Sequence, residues 1–442
     1  MSSPTKPALT EETVKELSRS AGEPQWMLDR RLDSLEAFHR LPMPHDKMEE
    51  WRYTDISEID LTQFPPAASL RTGVAEPPPS RTDFFTGVEE CPALIQSDTQ
   101  VLRRGISKDM EEEGIVFTDL RTALQEHPEV VREHFMTHLV PHDRDKLIAL
   151  HGAFWSGGTF VFVPRDAEVR LPLRSLVWSN ELSSGNYHHT LVVAESNSRV
   201  TLFEETGSAK GHQKSLHIEV AEVFIDEGAA VRFLALQDLT TNSVCLSTRR
   251  ASVGRDAEMV WLSGTFGSRL CKADVDNVFE GPGGEAENLG VFFGVGDQHL
   301  DISSNAIHIA PNTSSDMMTR GALKDTATSV YTGLIRIERS AKQTLSFLSE
   351  NTLLLSDQAR ANAKPNLEIY TDDVRASHGA TVGRLDQEQL FYLMSRGLPK
   401  QTAETLIVQG FFMPVLKKIE DKAIAQRYRQ LITERASDGT AP

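Results

Sequence analysis

The sequence is short of cysteine and of positive charge. Its 442 residues hold 3 cysteines, Cys91, Cys245 and Cys271, far apart and in no CxxC spacing. That excludes a disulfide framework and a self-contained cysteine-type zinc or iron–sulfur site, and free thiols suit a reducing cytoplasm. Lys and Arg number 46 against 63 Asp and Glu, a formal net charge of -17. A surface of that sign repels phosphate backbones and anionic lipid, so neither nucleic acid nor membrane is expected as a partner. No apolar run approaches the roughly 18 residues of a membrane span. Residues 1–12 are polar and acidic, without the apolar core of a secretory signal. GxxxxGK[ST], GxGxxG after a strand, HExxH and GxSxG are all missing, so no bound nucleotide and no familiar hydrolytic centre are expected. Gly281-Pro282-Gly283-Gly284 lies between strand candidates and reads as a turn.

What is present divides into three textures, predicting a mixed helical region over 1–155, a β-rich core over 156–383 and a helical region over 384–442. Thr10-Glu11-Glu12-Thr13 supplies a helix cap before Val14 and Leu17. Met27, Leu28, Arg31, Leu32, Leu35 and Phe38 follow helical spacing that stops at Pro42 and Pro44. The prolines of 64–82 predict a surface loop, and 118–152 returns to helical spacing. After 383, helices are expected from Leu385 to the Arg396-Gly397-Leu398-Pro399 stop, from Gln401 to about Gln409, and from about Asp421 to Glu434, with a bend at Gly410-Phe411-Phe412-Met413-Pro414.

Strand candidates in the core are 159–163, 190–194, 200–204, 231–236, 259–262, 289–293, 334–337, 344–348 and 367–370. A phrase repeats among them: Asp, Asn or Gly in a turn, a small residue, then a strand. The small residues stand at 167, 198, 229, 257 and 286, in steps of 31, 31, 28 and 29. A period of about 30 in β-rich sequence predicts a parallel β-helix, each coil burying its apolar side on the next. An irregular all-β domain is the alternative.

Among 14 histidines, His134 and His138 are spaced to share a helix face, and His188 and His189 to point to opposite faces of a strand. His299 and His308 flank a strand-like stretch. None makes a chelate by itself. His378, between Ser377 and Gly379 in the last β-like segment, is placed to be partly exposed, and imidazole can ligate iron or replace thiolate at a cluster. One ligand is not a site, so a partner has to complete it. Asp372 and Asp373 are consecutive and form no acid–base dyad.

The stretch Leu353-Leu354-Leu355-Ser356-Asp357, Lys364-Pro365-Asn366-Leu367-Glu368-Ile369-Tyr370, Asp372-Asp373-Val374 and Ser377-His378-Gly379-Ala380-Thr381-Val382-Gly383 closely resembles the SufB/SufD family of iron–sulfur cluster assembly proteins. Leu390-Phe391-Tyr392-Leu393-Met394-Ser395-Arg396-Gly397-Leu398-Pro399 extends the resemblance. Gly22-Glu23-Pro24-Gln25-Trp26-Met27-Leu28 and Glu50-Trp51-Arg52-Tyr53-Thr54-Asp55 support it. The wording around His378 is that of the SufD branch. The resemblance implies a right-handed parallel β-helix with α-helical N- and C-terminal regions. It implies a non-catalytic scaffold that pairs with a SufB-like subunit and binds a SufC-like ATPase through its C-terminal helices, where Leu390, Phe391, Leu393, Phe411 and Phe412 are candidate anchors. It implies a nascent iron–sulfur cluster shared with the partner, with His378 as this chain's ligand. Ala376 stands where the family motif usually has cysteine. A homodimer of the isolated chain, a SufB-like homodimeric scaffold, a free-standing metal or small-molecule binder and a β-helix carbohydrate-active enzyme stay open as rivals. The last is weakened by the helical ends and an aromatic content of 7%.

Overall fold

The computed structural model describes residues 9–67, 77–86, 91–180, 184–209, 211 and 214–437. From Thr159 onward, successive strands alternate between two sheets and pair in parallel with the strand one coil away. One sheet has ten strands, ending at Val374–Arg384; the other has nine, ending at Arg360–Ile369. This is a β-solenoid of about 8 turns. Its lumen holds a stacked core including Leu202, Phe233, Trp261, Met317 and Leu348.

The repeating phrase is the corner of each coil. Asp166, Asn197, Gly228, Asp256, Gly283, Asn312 and Gln343 all have left-handed backbones, with φ between 51° and 78°. Short polar residues and glycine tolerate that region best. The N–H of each donates to a carbonyl at the same corner of the next coil, as Asn197 to Glu227 at 2.9 Å and Asn312 to Lys342 at 2.8 Å. The residue after each turns into the lumen and must be small: Ala167, Ser198, Ala229, Ala257, then Gly284. The fifth position is therefore Gly284, and the expected Ala286 is instead the register partner of Met259. The phrase continues at Asn312-Thr313 and Gln343-Thr344, where larger residues disguised it.

Every expected strand lies within an observed one, except that 367–370 overruns Arg360–Ile369 by Tyr370. Leu173–Ser179, Ser215–Ile225, Ser243–Val253, Leu270–Phe279 and Ser314–Leu323 were not anticipated. They carry buried Ser, Thr, His and Arg on inward positions, which erases the apolar alternation.

Thr10 caps Glu11–Ala21 through the Thr13 N–H at 3.3 Å, and Gln25–Arg40 follows. Over 118–152 the helical expectation needs correcting: Val116–Asp119 is a strand, followed by the short helices Leu120–Glu126, Pro128–His134 and Lys146–Phe154. These helices cover the outer face of the nine-stranded sheet with a second apolar core. The expected loop over 64–82 is also corrected where it is described. Phe64 and Ala67 are buried, Pro66 bridges to Gly185, and Pro79–Thr86 is helical; residues 68–76 lie outside the described residues.

At the other end, Gln387–Ser395, Lys400–Leu416 and Lys422–Ala436 are helices. The second runs past the expected stop at Gln409, with Pro414 inside it. Pro414 leaves the Gly410 carbonyl without its helical N–H, and burial of Phe412, Val415 and Leu416 carries the helix through that cost. The last helix lies on the ten-stranded sheet, where the Tyr428 hydroxyl donates to Ala235 O at 2.8 Å.

Candidate functional site at the open end of the solenoid

In a parallel sheet, register partners on adjacent strands point to the same face. His378 pairs with Leu348, which pairs with Met317, and both partners belong to the lumen core. His378 therefore stands on the inner side of the terminal coil. It is exposed all the same, because Val374–Arg384 and Arg360–Ile369 are the last strands of their sheets and each has one edge unpaired among the described residues. By the same register, the inner positions of this coil are Ala361, Ala363, Pro365, Leu367 and Ile369 on one strand and Val374, Ala376, His378, Ala380 and Val382 on the other. His378 is the titratable residue among them. Leu367, Ile369, Tyr370 and Val382 are large apolar side chains left in solvent at this end.

One coil deeper, Glu350 is the register partner of Ala380 and faces inward, with 1% exposure. Thr352 Oγ1 donates to its Oε1, while its Oε2 has no partner among the described residues. Burial pushes this carboxyl up to about 7, against the Thr352 bond that lowers it. A lone internal acid carries no period-2 or period-30 signal, so sequence reading passed it over.

The other histidines singled out in the sequence make contacts within the chain. His134 ends its helix and His138 lies beyond it, so they share no helix face; their rings flank Phe224 at 4.7 and 5.7 Å. His188 and His189 do point to opposite faces: His188 Nε2 lies 3.3 Å from Glu204 inside the lumen, and His189 Nε2 lies 3.3 Å from Glu222 outside it. His299 bonds Thr54 at 3.0 Å and Thr328 at 2.8 Å, and His308 stacks on Phe279 at 4.3 Å. Among the described residues, no three His, Cys, Asp or Glu side chains converge on a metal-sized space. Cys245 and Cys271, 26 residues apart, are register partners inside the lumen. The hydrogen bond to Cys271 and burial hold the Cys245 thiol well above its ordinary range.

The Trp51-Arg52-Tyr53-Thr54 phrase straps the N-terminal layer to the solenoid: Lys272 lies over the Trp51 ring at 5.3 Å and Lys364 over Tyr53 at 4.9 Å. Of the expected anchors on the C-terminal helices, Leu390 and Phe412 are packed inside the chain and present nothing to a partner. Leu393 and Phe411 are half-buried, the latter under Arg320 at 5.0 Å. Phe391 is 73% exposed and is joined by Tyr392, Met394 and Leu406. A cleft of about 520 Å³ opens between the last two helices, lined by Met413, Leu416, Arg429 and Ile432 among others. No helix of the described residues is long and apolar enough to cross a membrane.

The family region described as "SUF system FeS cluster assembly, SufBD core domain" matches residues 177–411, and "SufBD protein N-terminal region" matches 11–174. An iron–sulfur cluster assembly SufBD family protein of Staphylococcus epidermidis is 33% identical over 423 residues, 93% of this chain and 90% of that protein. Relatives of the same description in Staphylococcus saprophyticus and Staphylococcus aureus are 32% and 33% identical over the same lengths. The chain belongs to the SufBD family of iron–sulfur cluster assembly proteins.

Proposed function

We propose that this chain is a non-catalytic scaffold subunit of the SufD branch. It pairs with a SufB-like subunit at the open end of its solenoid and lends His378 to a nascent iron–sulfur cluster, which is the cargo of the assembly. The observation that carries this reading is the position of His378 on the inner face of a terminal coil whose two strand edges are unpaired. Unpaired strand edges are templates for another chain, and the apolar side chains beside them favour being covered. One imidazole leaves a cluster under-coordinated, so the other ligands come from the partner, the more so because Ala376 cannot supply a thiolate.

The exposed Phe391, Tyr392, Met394 and Leu406, with the cleft between the last two helices, support docking of a SufC-like ATPase on residues 384–442. ATP chemistry belongs to that partner, and the cytoplasm is the setting that free, buried thiols favour. In this division residues 1–155 form the mixed helical region, 156–383 the rod and 384–442 the ATPase platform. A rigid rod passes motion from the ATPase to the cluster site, because each coil is hydrogen-bonded to the next.

The test is His378→Ala in the complex purified anaerobically with its native partners. Loss of iron and acid-labile sulfide is expected; unchanged amounts would remove His378 from the site. Native mass measurement of the same complex should find a SufB-like chain and ATPase subunits, and a plain homodimer would contradict the pairing.

A further inference from the structure

The lumen column that contains Glu350 runs through register partners Glu204, Ala235, Ser263, Gly290, Thr319, Glu350 and Ala380. Small residues fill its middle, and a carboxylate stands near each end. The two carboxylates differ in what surrounds them. Glu204 accepts from Thr159 at 2.8 Å and Thr190 at 2.9 Å and lies 3.3 Å from His188 Nε2. Those partners hold its carboxyl below the ordinary range despite burial. Glu350 has Thr352 on one oxygen and, among the described residues, no hydrogen-bond partner on the other. A fully buried, half-satisfied carboxyl is costly, and natural interiors retain few of them.

His378 lies diagonally above Glu350: it pairs with Leu348, two residues before Glu350 on the neighbouring strand. With strands about 4.8 Å apart and about 3.3 Å of rise per residue, the two Cα atoms are separated by roughly 8 Å. That span suits two side chains converging on one ion. Between Glu350 and the open end the coil offers only the methyl group of Ala380 on this column.

We propose that Glu350 is a second iron-binding group of the His378 site, its free carboxylate oxygen completing with the imidazole a two-ligand half-site for ferrous iron that the partner subunit closes. Mixed carboxylate and imidazole sets suit iron. Thr352 acts as the positioning residue, donating to Oε1 and leaving Oε2 to the metal. This inference rests on the cluster-site reading of His378 given above.

The experiment compares wild type, Glu350→Gln and His378→Ala in the anaerobically purified complex. It measures iron and sulfide per complex, binding of added ferrous iron, and the melting temperature. Glu350→Gln keeps the shape and the Thr352 bond. It should bind ferrous iron at least tenfold more weakly while melting no lower than wild type. Wild-type iron binding in Glu350→Gln together with loss in His378→Ala would overturn the role of Glu350 alone. Wild-type binding in both would overturn the cluster-site reading with it. Should Glu350→Gln fail to fold, Thr352→Val decides: the freed carboxylate should weaken iron binding several-fold, and unchanged binding would overturn the proposal.

Discussion

His189 and Glu222 face one another at 3.3 Å, wholly buried between the nine-stranded sheet and the N-terminal helical layer. The bonds behind them fix the two imidazole tautomers. His151 Nδ1 donates to Ile218 O at 3.0 Å, which leaves its Nε2 to accept from His189 Nδ1 at 3.1 Å. His189 Nε2 then carries no proton, and among the described residues it has no hydrogen-bond partner. Burial accordingly pushes the Glu222 carboxyl up to about 8 and both imidazoles well below their ordinary range. Glu222 also accepts the Met136 N–H at 2.6 Å and the Val140 N–H at 3.1 Å, so it ties the shell to the rod.

A group whose folded value lies above its unfolded value stabilises fully below the unfolded value and loses that contribution as pH rises through the folded one. For Glu222 the window runs from 4.5 to about 8. Stability should fall across it by roughly 3–5 kcal/mol from this group. Urea unfolding from pH 5 to pH 8.5 measures the slope, and Glu222→Gln should flatten it. An equally steep slope in the variant would refute the assignment.

Arg31 and Glu23 form a two-pronged pair at 2.8 and 2.6 Å with almost no exposure on either side chain. Arg31 also donates to Ala153 O and Trp155 O, each at 3.0 Å. Glu23→Ala strands a buried guanidinium and should cost about 3–5 kcal/mol. Glu23→Leu with Arg31→Met should recover most of that loss in thermal unfolding.

The C-terminal helices are clamped by charge. Glu205 binds Arg81 and Arg427 at 2.6 Å each, and Asp238 binds Arg81 and also Arg435 at 3.1 Å. Glu205→Ala should loosen the last helix by about 3 kcal/mol or more. The readout is faster proteolysis within residues 400–437 while strand protection in hydrogen exchange is unchanged.

Gly321 lies against the ring of Phe292, and a Cβ there would come within 1.9 Å of it. Gly321→Ala should destabilise by about 1–3 kcal/mol, and adding Phe292→Leu should relieve part of that. Denaturant midpoints of the single and double variants check the coupling.

How far the sequence was legible varies with the signal each residue carries. The corner residues Asp166, Asn197, Gly228 and Asp256 were visible because a left-handed backbone admits few residue types. Strands such as Ser215–Ile225 were not, because Glu219 and Glu222 occupy its two faces and both are buried, so polarity no longer marks the outside. The anchor residues divided the same way: Phe391 and Phe412 read alike as letters, yet one is exposed and one is sealed in the core.

The sequence by itself determined that coils would stack, since the spacing of turn and small residues repeats with the length of one coil. It also marked His378 as unlike the other histidines. Only the tertiary structure decided which residues meet: that Cys245 lies beside Cys271, that His378 faces inward at an open end, and that Glu350 waits one coil beneath it. The physical reason is register. A solenoid brings together residues about 30 apart, and a shift of one residue would turn every such side chain to the opposite face.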